Sequence, residues 1–366
     1  MAGGSWEPGV DKIRAGIYTN FVQQAINQVS GGDQGVVAIA LVTHGGLAQA
    51  DTIYEFEAIN GLAEVRTTLG LTGAKAVELA FGGGASKVIA YTMPSVIEGE
   101  AIDTGKAFKA LSTRRFNAFV FSGPVGESAL TEAKAWQASN RTEMGRHFFG
   151  VYGGSKEDDK TPALGNTRSA LVKDLYSINL IVGGYIGDTE YSSAEYTPYI
   201  AGMVVGGPLN QGITYSSTNL NAVNVRLTPS ETETALKAGS LVLTDNEDGA
   251  IVIERAITTN VGDLTTGSNK IRKVRTNMTI VSDVTLTANA NWIGKINNNP
   301  DGQASVIAGI KAYLDQLASS EVIHPEPVEV TLDPNYASID DKIYLAIRYI
   351  EVDSAEEIYL TIKAGN

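Results

Sequence analysis

Apolar and polar positions change period several times along the chain. Gly35 to Thr43, GVVAIALVT, is an unbroken apolar run rich in Val, the pattern of a strand covered on both faces. Ile59 to Leu69 and Ala74 to Phe81 follow with helical spacing, and Lys87 to Thr92, KVIAYT, is a short strand. The spacing then predicts a helix over Thr104 to Leu111, a strand at Ala118 to Phe121, and an amphipathic helix over Glu127 to Thr142 with Trp136 on its inner side. Strands at Phe148 to Tyr152 and Ile178 to Gly183 precede Tyr196 to Val205, a buried helix whose small residues allow close packing. Gly206 to Thr214 is a loop by composition. Strands alternating with helices predict an α/β main domain, a mixed sheet flanked by crossover helices.

Past that body the pattern shifts. Ser230 to Gly239 is a helix with the capping box SETE, Ser230 accepting and Glu233 reaching back. Leu241 to Thr244 and Ile251 to Ala256 flank the turn DNEDG as a hairpin. After about Thr258, Ile271, Val274, Met278 and Val281 have helical spacing, but the β-branched continuation to Leu286 leaves helix and strand both open. NNNPDG at Asn297 to Gly302 mimics the start of a calcium loop. Its twelfth position is Ala308, which offers no carboxylate, so it reads instead as a turn with Asp301 capping a helix over Gly302 to Leu317. Val306, Ile310, Tyr313, Leu314 and Leu317 form that helix's apolar stripe. Strands at Val328 to Leu332 and Lys342 to Ile350 complete a smaller α+β C-terminal domain.

Both ends look like extended arms. Ala355 to Asn366, AEEIYLTIKAGN, alternates as a strand, with Ile358, Leu360 and Ile362 on one side and Tyr359, Thr361 and Lys363 on the other. A terminal strand either closes a sheet of its own subunit or adds to a neighbour's. Gly16 to Phe21, GIYTNF, lies in a sparsely apolar leader that is either a frayed terminus or a second arm. The expected division is residues 1–22 as N-terminal arm, 23–257 as α/β body, 258–354 as C-terminal domain and 355–366 as linking strand.

Composition narrows the chemistry. With 366 residues, 43% hydrophobic and 19% charged, the chain can bury a large core. A net charge of -13 argues against nonspecific nucleic-acid binding. The absence of cysteine excludes disulfides and thiolate chemistry. The leader has no secretory pattern, and no window approaches the apolar length of a membrane span. FGGGASK at Phe81 to Lys87 is not a phosphate loop, since its Lys opens a strand; the glycines fit a helix C-cap and turn. His44, His147 and His324 sit singly, and FSGPVG at Phe121 to Gly126 is not a nucleophile elbow. No catalytic, cofactor or metal site is expected. Lys270, Arg272, Lys273 and Arg275 cluster as either a solvated face or a contact for an acidic partner.

Taken together, GVVAIALV, AFGGGASKVIAYTM, YIAGMVVGGPLNQGITY, WIGKINNNPDGQASVIAGIKAYLDQL and EEIYLTIKAG resemble the contractile tail sheath proteins of bacteriophages, most closely those of Gram-positive phages and phage-derived tail particles. The leader GGSWEPGVDKIRAGIYTNF matches how those begin. Many such sheaths carry a β-rich insertion after the strand corresponding to KVIAYT, whereas here Pro94 to Asp103 alone precede the next helix.

The resemblance implies a structural protein, not an enzyme, that forms stacked six-fold rings around a tail tube protein, bounded by baseplate and tail terminator proteins. It implies a virion tail location after assembly in the host bacterial cytoplasm, with no direct nucleic-acid binding, no membrane insertion and no cofactor. It assigns inter-subunit linking strands to Arg14, Ile17, Tyr18 and Phe21 and to Ile358, Tyr359, Leu360, Thr361 and Ile362. The acceptor sheet would hold Val328, Val330, Leu332, Ile343, Leu345 and Ile347, and Lys270, Arg272, Lys273 and Arg275 would be tube-facing. The alternative is an α/β enzyme or ligand-binding protein whose site carries no known motif.

Overall fold

The computed structural model describes residues 2–5, 16–19, 29, 31–32, 34–94, 102–246, 248–261 and 267–364, with 2–5 and 16–19 as backbone alone. Strands β1 (Ala2–Ser5) and β2 (Gly16–Thr19) pair with each other in parallel. The apolar run becomes β3 (Val36–Leu41), the centre of a six-stranded sheet. Around it lie β4 (Thr52–Glu57), α1 (Leu62–Gly82), β5 (Lys87–Thr92), α2 (Gly105–Leu111), β6 (Ala118–Phe121), α3 (Glu127–Met144), β7 (Phe149–Tyr152), α4 (Lys156–Asp159), α5 (Pro162–Leu171) and β8 (Ser177–Asn179). Strand order is β4-β5-β3-β6-β7-β8, parallel except for β4.

Every β3 residue is apolar because the sheet has a core on each face. Val37, Ile39 and Leu41 pack on the α1 side, while Val36, Ala38 and Ala40 face Phe108, Phe119 and Trp136. Phe108 stacks on Trp136 with ring centroids 4.6 Å apart, and Phe119 meets the same indole edge-on at 5.0 Å. Edge strand β4 has no counterpart in the sequence reading. Its Glu55 and Glu57 break the apolar signal, and Glu55 instead forms ion pairs with Lys87 at 2.7 Å and Arg114 at 3.3 Å.

Gly70, at φ 66 and ψ 173, splits α1 into the two halves that the spacing predicts. Arg66 Nε meets Glu78 Oε1 at 2.5 Å, although in a straight helix twelve residues would separate them by about 18 Å. The second half ends at the FGGG turn and runs against the later helix Ser193–Gly206.

The next elements are β9 (Gly184–Ile186), β10 (Thr189–Tyr191), α6 (Ser193–Gly206) and β11 (Ala222–Val223). Then come α7 (Pro229–Lys237) and the hairpin β12 (Leu243–Asp245) with β13 (Ile251–Ile253). The expected strand at Ile178 to Gly183 shortens to β8, with Leu180 bridging Leu241. The α7 cap is Thr228 with Glu231, not Ser230 with Glu233. Pro229 takes the first helical position, where its missing N–H costs nothing, and Glu233 instead pairs with Lys237 at 2.6 Å.

The ambiguous stretch after Thr258 is helical, α8 (Ile271–Thr287), followed by α9 (Pro300–Ser319), β14 (Glu329–Leu332) and β15 (Leu345–Arg348). Asn299, not Asp301, caps α9, its side chain accepting from Gly302 N at 2.8 Å with Pro300 as the first helical residue. The α9 stripe, Val306, Ile310, Tyr313, Leu314 and Leu317, centres a separate core that also takes in Val29, Ile280 and Val330. Residues 95–101, where the insertion would lie, fall outside the described residues.

Helices α1 and α6 touch backbone to backbone. A Cβ added at Gly202 would stand 2.2 Å from Ala80 O, and one at Gly206 would stand 2.0 Å from Gly84 O. The glycines of FGGG thus serve helix packing. Gly202→Ala is expected to lower unfolding stability by about 3 kcal/mol, because neither backbone can yield. Gly123→Ala, with nothing within 4 Å, should change it by less than about 0.5 kcal/mol; chemical denaturation of both variants checks this.

Candidate functional site: the C-terminal arm root and an open ribbon

The C-terminal tail divides after Glu357 into a held part and an exposed part. Beyond it, Ile358, Tyr359, Leu360 and Ile362 are 78%, 87%, 80% and 87% exposed, and Thr361 is exposed too. The alternation predicts a strand here, but residues 352–364 form no β-pair with any described residue. A strand needs a partner edge for its N–H and C=O groups, and none of the described residues supplies one to this segment.

Before Glu356 the tail lies along α8. Tyr349 OH donates to Asn277 Oδ1 at 2.6 Å, and Asn277 Nδ2 donates to Glu351 Oε1 at 2.6 Å. One turn or two further toward the start of α8, Asp353 takes Lys270 at 3.0 Å and Lys273 at 3.3 Å, and Arg272 donates to Ser354 Oγ at 2.9 Å. Glu356 is the last partly buried residue of the tail, and Arg255 reaches on to Glu357 at 3.7 Å. The Glu356 carboxylate meets Lys270 at 3.1 Å and Arg255 at 3.4 Å and accepts from Thr214 Oγ1 at 2.8 Å.

Helix electrostatics explain why acids gather there. The first turn of α8 has no acidic residue and no side-chain cap, and carries Arg272 and Lys273 where the helix dipole disfavours cations. Asp353 and Glu356 supply the missing negative charge from the tail. Burial alone would raise the Asp353 carboxyl, but the bond from Lys270 and the charges of Lys270 and Lys273 hold it below the ordinary value of 3.8.

Arg275 differs from its three neighbours. It is buried, and its Nη2 donates to Val205 O at 2.9 Å and Gly207 O at 2.5 Å, at the C-terminal end of α6. Burial pushes its guanidinium down to about 10, so it stays charged at neutral pH and faces the negative end of α6. The four cations are thus engaged with the chain's own tail and backbone. Sequence reasoning missed Asp353, Ser354 and Glu356; the signal was a basic helix start beside the acidic run DSAEE.

The two C-terminal strands form a two-stranded ribbon, Val330 opposite Ile347 and Leu332 opposite Leu345. Val328 and Val330 are buried in the C-terminal core, Leu345 packs against it, and Leu332 and Ile347 are 38% and 37% exposed. Ile343 lies just before β15. Among the described residues neither strand has a second neighbour, so both ribbon edges are open. At the N-terminus, Ile17 and Tyr18 lie in β2, and Arg14 and Phe21 fall outside the described residues.

No group of three or more His, Asp or Glu able to hold a metal occurs among the described residues, and none of their helices is long and apolar enough to cross a membrane. Family comparison decides the identity. The family description "phage tail sheath protein central domain" matches residues 96–259, and "phage tail sheath C-terminal domain" matches residues 266–365. The chain belongs to the phage tail sheath family. It is therefore a structural sheath subunit, a component of a phage tail. A tail sheath protein of Clostridium phage phiCD119 is 22% identical over 89% of this chain and 86% of its own length. The sheath tail protein of Desulfitobacterium hafniense shares the fold at TM-score 0.69 and 15% identity, covering 92% of this chain and 100% of that one. A contracted PVC sheath from an extracellular contractile injection system does so at TM-score 0.73 and 13% identity, over 97% and 98%.

The depressed Asp353 carboxyl fixes a pH dependence for the sheath's arm root. Its stabilising contribution is complete above 3.8 and is lost as the pH falls through the lowered folded value. Limited digestion with an acid protease is expected to cut near residues 351–357 faster as the pH drops through that window. Asp353→Asn should cut fast already at higher pH and lose the pH dependence.

Proposed function

We propose that residues 358–364 of each sheath subunit add as a strand to the open β14–β15 ribbon of a neighbour, and that the N-terminal segment makes a second link. The observation that carries this reading is the pairing of an unsatisfied, alternating apolar tail with an unsatisfied ribbon in one chain. Strand addition would give the tail its backbone hydrogen bonds and bury side chains at about 2 kcal/mol each before the cost of ordering them. The division into arm, body, C-terminal domain and linking strand near residues 22, 257 and 354 belongs to the same reading.

Linked subunits would stack as rings around a tail tube, capped by a terminator and seated on a baseplate. The rigid α/β bodies would slide while the arms keep neighbours tethered, and contraction would drive the tube through the host envelope. Surface buried between bodies in the contracted array supplies the energy, so neither cofactor nor enzymatic step is involved. Assembly would take place in the host cytoplasm. We assign Lys270, Arg272 and Lys273 to holding the arm root instead of facing the tube, and Arg275 to joining α8 to the body.

Truncation after Glu357 spares the root and removes the proposed strand. The expected product melts like the full chain by circular dichroism yet forms no tubes on purified tail tubes by negative-stain microscopy. Normal tubes from this variant would refute strand addition.

A further inference from the structure

We propose that α8 is the tension member that joins the two arms of a subunit, so that pull on the C-terminal arm passes to the N-terminal arm through this helix while the α/β body hangs beside the path. The idea rests on the arms acting as links between neighbours.

Both chain ends are moored on α8. The C-terminal arm is held over its first two turns, from Lys270 to Asn277, by the contacts to Glu351, Asp353, Ser354 and Glu356. The N-terminal segment is held near its other end. Gly32 N donates to Asp283 Oδ1 at 2.8 Å, and Val29 is buried in the core that α8 shares with α9. A Cβ at Gly32 would stand 2.6 Å from Leu286 Cδ1, so the backbone lies directly on the helix. Asp283 is itself 2% exposed and fixed by Tyr313 OH at 2.7 Å.

The moorings lie six to sixteen residues apart along α8, about 9–24 Å of helix. The body attaches along the same first turns, through Arg275 to the end of α6 and through Ile271, Val274 and Met278, which are buried in its core. Residues 33–350 separate the two moored segments in sequence, yet in space a single helix spans them. Glu356 also touches Thr214 and Arg255 of the body, which offers a rival route for force.

Pulling one subunit from both ends in optical tweezers separates the routes. The chain lacks cysteine, so Tyr18→Cys and Leu360→Cys give specific handles. If α8 carries the load, the first event is release of one root, a lengthening of about 30 Å. Lys270→Gln with Lys273→Gln, or Asp283→Asn, should lower the force of that event. Gly202→Ala, which weakens the body alone, should leave it unchanged; Arg275→Lys is the second control if that variant fails to fold. A first event of several hundred Å, the length of an opening body, or a first-event force lowered by Gly202→Ala and not by the root variants, overturns the proposal. Because the lone subunit is pulled, this result is independent of whether arms link neighbours, which the truncation above reads separately.

Discussion

Backbone hydrogen bonding is the constraint from which the rest follows. Each peptide unit of the tail carries a donor and an acceptor, and past Glu356 no sheet among the described residues offers them a partner. Two-stranded ribbons are marginal in water for the same reason, and β14–β15 persists because its inner face, Val328, Val330 and Leu345, packs on α9. An exposed alternating segment and an open ribbon would be an aggregation hazard in most proteins. In a sheath subunit the same features are what an assembling surface requires.

The ion-paired root makes that arrangement orderly. With the tail held by ion pairs at Glu356 and Glu357 and exposed beyond them, the segment leaves the body from one fixed point. The pairs involved are shielded: the side chains of Lys270 and Glu356 are each 11% exposed, which removes them from the weak class of surface pairs. Removing one partner would leave a half-buried charge uncompensated, so the root acts as a unit.

Much of the fold is legible in the sequence wherever burial sets the period. Every β3 position is apolar because both sheet faces are covered, and the α9 stripe reappears intact as the C-terminal core. Legibility fails where polar partners decide. Strand β4 is hidden by glutamates that pair with Lys87 and Arg114. The caps of α7 and α9 move to Thr228 and Asn299 because proline at the first helical position outranks the next polar residue. The cation cluster could not be assigned without its acids, which arrive from eighty residues downstream. The terminal alternation is the reverse case: the pattern is plain, but among the described residues it meets no sheet edge.

Disulfide trapping tests the central claim most directly, since the chain has no native cysteine. Cysteines placed singly at Ile358, Leu360 or Ile362 and combined with Leu332→Cys or Ile347→Cys would lie within bonding distance only across a formed strand pair. Mild oxidation of assembled sheaths should give covalent ladders of linked subunits, and oxidation of dispersed subunits should give none. Bonds closed within single subunits, or assembled sheaths that yield no ladder for any pair, would contradict the account.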